Sequence, residues 1–75
     1  MSLHGEVKVN HTIILLWQAR NVGVSPSGVG TYQCRVLDPH MDAESLFEVQ
    51  HQRSLGAAAL ASQVLRTYHV LLRDA

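Results

Sequence analysis

Five histidines (His4, His11, His40, His51, His69) and a single cysteine, Cys34, are the residues of this chain best suited to metal binding or nucleophilic chemistry. A structural zinc needs ligands gathered by close spacing, as at i, i+3 or i, i+4 on a helix or in a knuckle. No two histidines stand at such a spacing, and His40 with Asp42 places only one imidazole and one carboxylate together in a turn. The histidines therefore read as surface or strand-end residues, with pH-sensitive association as their one chemical use. Cys34 sits between Tyr32 and Val36 at an inward strand position, where cysteine behaves as a small hydrophobe. "GVSPSGVG" (Gly23–Gly30) lacks the GK[ST] end of a phosphate-binding loop. No acid, base and nucleophile can be named as a set, so the chain reads as non-enzymatic, without metal or cofactor.

Charge offers a different chemistry. Arg66, His69 and Arg73 fall with Ser62 within about 60° of arc on a helix, a stripe able to meet phosphates or an acidic protein surface. Against this stands the plainer reading of a solvated helix face. The chain has six bases and six acids, hence no net charge. Four of the acids (Asp38, Asp42, Glu44, Glu48) lie in one segment without a base, leaving six bases and two acids, or +4, elsewhere. Non-specific nucleic-acid binding demands a basic footprint, and a neutral total removes the self-repulsion that keeps proteins apart. Both favour a protein partner.

The elements that must position these groups can be read from periodicity. "EVKVN" (Glu6–Asn10) alternates as a half-buried strand, with a tight turn at Asn10–His11. Thr12–Val22 is a second strand rich in β-branched and aromatic residues. Gly23–Gly30 reads as a mobile loop, Thr31–Leu37 as a third strand, Asp38–Ala43 as a turn and Ser45–His51 as a fourth strand. From Leu55 to about Arg73 apolar residues recur every three or four positions, the stripe of an amphipathic helix, with Ser54 as its N-cap. The expectation is a single α+β domain over residues 1–75: a four-stranded antiparallel meander with one C-terminal helix packed on one face. A chain of 75 residues buries only about 60% of its unfolded surface, which favours a partner subunit. No apolar stretch approaches a membrane span, no secretory pattern opens the chain, and one cysteine suits a reducing interior, so a cytoplasmic setting is expected.

The second strand carries an anomaly. Ile13 to Trp17 are five consecutive apolar residues, so both of its faces are apolar. Parity assigns Val7, Val9, Ile13, Leu15, Trp17, Tyr32, Cys34, Val36, Phe47 and Val49 to the face under the helix. Ile14, Leu16, Leu37 and Leu46 fall on the other face, beside Glu6, Lys8, Gln18, Arg20, Gln33, Arg35, Glu48 and Gln50. Leaving four aliphatic side chains wet forgoes several kcal/mol at roughly 25 cal/mol per Å², so these four form the candidate interface, with a homodimer as the first expectation and a host protein as the alternative partner.

Three resemblances follow from these residues. A sheet of three or four strands followed by one helix is similar to the arm-binding domains of tyrosine-type phage integrases, with "TYQCRV" (31–36) resembling their second strand. That likeness implies DNA contacts from Gln18, Arg20, Gln33 and Arg35, although Ile14, Leu16, Leu37, Leu46, Glu6 and Glu48 share the face. The topology also resembles antitoxins of the HicB type, whose glycine-rich central signature is absent here. "WQAR" (17–20), "TYQCRV" (31–36) and "GAAALASQVL" (56–65) together resemble small accessory proteins encoded by actinobacteriophages. This last likeness covers most of the chain and implies a setting, phage-encoded in a host cytoplasm, without an activity.

Overall fold

The computed structural model describes residues 2–75. Four strands, β1 (Ser2–Val9), β2 (Thr12–Val24), β3 (Val29–Asp38) and β4 (Ala43–Gln52), precede a 3-10 turn (Arg53–Leu55) and the helix α1 (Ala57–Arg73). They form one antiparallel sheet in the order β1-β2-β3-β4, as the short connections require. The helix lies across one face, making the expected two-layer α+β domain about 17 Å through its thinnest dimension.

The connections are tighter than their composition suggests. Asn10 and His11 both take positive φ (51° and 68°), the two-residue turn that matches the twist of a hairpin. Half of the glycine- and serine-rich stretch Gly23–Gly30, expected as a mobile loop, is strand. Its turn is confined to Ser25–Gly28, where the Ser25 amide donates to the Val29 carbonyl at 2.9 Å and the Ser25 Oγ accepts from the Val29 amide at 3.0 Å. At the β3–β4 turn the Asp38 carboxylate accepts from the amides of His40 (3.0 Å) and Met41 (3.2 Å). This is the local bonding that makes Asp a turn starter.

The helix begins later than expected. Ser54 lies within the 3-10 turn, and Gly56, at φ +89°, precedes the first helical residue without any side-chain cap. That backbone conformation is open to glycine and costly for residues with a Cβ, so the turn from sheet to helix falls at Gly56. The core combines Leu15, Ala19, Tyr32, Cys34, Val36 and Val49 with Leu60, Val64 and Tyr68 of the helix. Leu71 and Leu72, expected to continue the buried stripe, are exposed at the helix end, and Val9 is exposed at the end of β1.

Candidate interaction face

On β3 the alternation is as expected: Tyr32, Cys34 and Val36 are buried and Gln33 and Arg35 exposed. On β2 a bulge intervenes. Val7 pairs with Leu15 but Lys8 pairs with Ile13, which leaves Ile14 as the extra residue. An inserted residue inverts the side-chain alternation beyond it. Ile14 consequently packs against the core, and Ile13 shares its register position with the outward Lys8. The expectation that Ile14 lies on the outer face is thus corrected, and Ile13 takes its place.

The other three aliphatics are where parity places them. Leu16 and Leu37 stand directly opposite each other on β2 and β3, 37% exposed and partly buried respectively. Leu46 is 69% exposed and pairs with Arg35 in register. The register lays out rows across the outer face: Glu6, Leu16, Leu37 and Glu44; then His4, Gln18, Arg35 and Leu46; then Ser2, Arg20, Gln33 and Glu48. A groove of about 240 Å³ runs beside the leucine pair, lined by His4, Leu16, Gln18, Arg35 and Leu37.

The three bases of this face are already engaged. Arg35 pairs with Glu44, Lys8 lies 3.4 Å from Glu6, and Arg20 donates to the Gln33 side-chain oxygen at 2.8 Å. The three bases Lys8, Arg20 and Arg35 are balanced by Glu6, Glu44 and Glu48, so the face is neutral as a whole. On the helix, Arg66, His69 and Arg73 are all exposed, as their shared arc predicts, and no carboxylate lies between Ala57 and Arg73.

Among the described residues no group of three or more His, Cys, Asp and Glu side chains is arranged to hold a metal. Cys34 is 3% exposed, its thiol donates to the Tyr32 carbonyl, and burial pushes its pKa up to about 11. The backbone of Val49 pulls slightly the other way and Glu48 adds to the rise. At neutral pH the sulfur is a protonated thiol, a poor nucleophile.

The expectation that His51 is a surface or strand-end histidine is corrected. The residue is buried on the inner face, following Phe47 and Val49 at the same parity, and its Nδ1 meets the Gln63 side-chain oxygen at 2.8 Å. Ala19, fully buried, was passed over although it continues the Leu15–Trp17 alternation.

Comparison with protein-family models, curated proteins and solved structures gives no significant match. Function must therefore be argued from this chain's own surface. No helix among the described residues is long and apolar enough to cross a membrane.

Proposed function

We propose that this chain is a non-enzymatic interaction protein that associates with a second copy of itself through the outer sheet face. The observation that carries the reading is the Leu16–Leu37 pair, flanked by Leu46, on a face whose charges cancel. A face with three bases and three acids carries no net charge to repel its own copy across a two-fold axis. It offers no basic footprint to a nucleic acid, and the Arg20 and Arg35 guanidinium groups are held by Gln33 and Glu44. Four strands about 4.8 Å apart and some eight residues long present about 500 Å². Two such faces bury about 1,000 Å², the low end for a specific interface, which suits a micromolar dimer. The resemblance to actinobacteriophage accessory proteins supports a phage-encoded origin and action in the host cytoplasm.

Dilution followed by NMR tests this. The amides of Leu16, Leu37 and Leu46 should shift between millimolar and low-micromolar protein, while those of the helix stay fixed. Outer-face signals that do not change over that range would overturn the reading.

The rival is a nucleic-acid contact made by the helix, favoured by the exposed Arg66, His69 and Arg73 on an acid-free element. Salt-dependent binding of duplex DNA that is lost in the Arg66→Ala, Arg73→Ala double variant would establish it. Absence of binding at low salt would remove it.

A further inference from the structure

The sheet ends at β1 on one side and β4 on the other, and these edges are not alike. Beside β4 lies the helix, whose Gln63 side chain donates to the Gln50 carbonyl at 2.8 Å, so that edge is partly taken. At β1, among the described residues, nothing bonds to the backbone except the β2 ladder. Native proteins blunt such an edge with proline, a bulge or charge, because its free amides and carbonyls are a template for a further strand. β1 has no proline, its pairing bulge lies in β2, and its one lysine, Lys8, sits near the strand end beside Glu6.

The hairpin decides which groups face the open side. Asn10 and His11 form a two-residue turn, so Val9 and Thr12 are the pair that exchanges both backbone bonds. Backbone direction alternates along a strand. Val7, Gly5 and Leu3 therefore turn their amides and carbonyls to β2, as Val9 does, while Lys8, Glu6, His4 and Ser2 turn theirs outward. The bulge leaves this intact, since its extra residue, Ile14, belongs to β2. The outward set is exposed in its side chains too, whereas Leu3, Gly5 and Val7 are partly buried on the inner face.

The order of residue types along β1 is complementary to its own reverse. When two β1 edges pair antiparallel, outward residues must meet outward residues, so the two-fold axis falls on a residue and not between two. An axis at Gly5 uses the whole set: Ser2 meets Lys8 of the second copy, and His4 meets Glu6. The same register sets Leu3 against Val7 on the inner face, at a non-hydrogen-bonded position where side chains lie closest. An axis at Glu6 would oppose two carboxylates and leave Ser2 without a partner. An axis at His4 would leave Lys8 without one.

We infer that β1 pairs with β1 of a second copy about a two-fold axis at Gly5, joining the two sheets into one. Both helices then lie on one side, nearest β4 and away from the axis, and both outer faces stay free on the other. Edge pairing is thus a second isologous contact, independent of the outer-face reading, and it links outer-face dimers into larger assemblies. It buries little apolar area, so it forms at millimolar and not micromolar concentration.

The test is an isotope-filtered NMR experiment on a mixture of carbon-13-labelled and unlabelled full chain at millimolar concentration. The expected result is a cross-peak between Leu3 Hα of one copy and Val7 Hα of the other. Within one strand these residues stand about 13 Å apart, at roughly 3.3 Å per residue, too far for such a signal. The His4 and Glu6 amides should exchange with solvent at least about twofold more slowly at millimolar than at low-micromolar protein, while Gly5 and Val7, bonded to β2, are unchanged. Glu6→Pro removes one outward amide, which an edge strand tolerates. It should abolish the cross-peak and the concentration dependence at His4. Leu16→Glu should keep the cross-peak while losing the outer-face response to dilution, which separates failure of this contact from failure of the other. Should Glu6→Pro fail to fold, the wild-type cross-peak decides alone. The proposal is overturned if no Leu3–Val7 cross-peak passes between copies, or if a Gly5–Val7 cross-peak replaces it and so moves the axis to Glu6. It is equally overturned if the His4 and Glu6 amides exchange alike at both concentrations, or if Glu6→Pro changes neither signal.

Discussion

Gly5 owes its identity to a neighbour across the strand. A Cβ built there would lie 2.7 Å from Nε1 of Trp17 and 2.8 Å from its Cε2, so the indole rests directly on the glycine. Trp17 pairs with Gly5 in register, which makes the contact a cross-strand one on the inner face. Gly5→Ala should push the ring outward and cost about 1–3 kcal/mol, as overpacking does, measured by chemical denaturation with a shift in tryptophan emission. Unaltered stability and emission would show that the ring has room to move. Cys34 gives the second prediction at this scale. Its thiol pKa rises from 9.0 to about 11 on folding because the thiolate would be desolvated. The folded chain holds the proton more tightly, so this contribution is complete below about pH 9 and is lost as pH climbs towards 11. Stability should fall by about 1–3 kcal/mol across that window, and Cys34→Ala should flatten the decline. An identical alkaline decline in both proteins would mean that the cysteine is not its source.

At the scale of elements, the helix divides into a buried start and an exposed end. Leu60 and Val64 are almost wholly buried, whereas Leu72 is 52% exposed. Leu60→Ala should cost about 2–5 kcal/mol and Leu72→Ala less than about 1, both read from urea midpoints at constant slope. Similar losses would place the last turn in a packed environment. The same contrast shows how far periodicity reaches. The stripe Leu60, Val64, Tyr68 was legible, and so were the strands with unbroken alternation, such as Tyr32, Cys34 and Val36. The exposure of the last turn was not, because a helical pattern does not reveal where the sheet beneath it ends. Nor was the bulge at Ile14, since one extra residue in a pairing leaves no mark on a strand that is apolar on both faces. His51 and Ala19 were within reach by parity alone. Their polar or small side chains do not announce a core, yet each continues a buried alternation. Gly56 was visible, but a glycine after a serine does not say which of the two starts the helix.

The whole molecule has two chemically distinct poles and two unlike faces. The acidic segment, Asp38 to Glu48, belongs to the β3–β4 end, while Arg53 and the uncapped start of α1 lie at the opposite end of β4. The inner face is closed by the helix, and the outer face keeps Leu16 and Leu46 in solvent beside the partly buried Leu37, among paired charges. In a domain whose net stability is a few kcal/mol, wetting such a surface is a sizeable loss. A second copy would recover it. Because Leu16 is already 37% exposed, Leu16→Glu should leave the isolated subunit's stability within about 1 kcal/mol. Placed opposite a buried copy, the same carboxylate would be desolvated and unpaired. Sedimentation equilibrium of the wild-type chain and Leu16→Glu at high-micromolar concentration is therefore the most direct test. Self-association through the outer face predicts a concentration-dependent dimer for the wild type, weakened at least about tenfold by Leu16→Glu. A wild-type chain that stays monomeric, or a dimer that Leu16→Glu leaves intact, would contradict it.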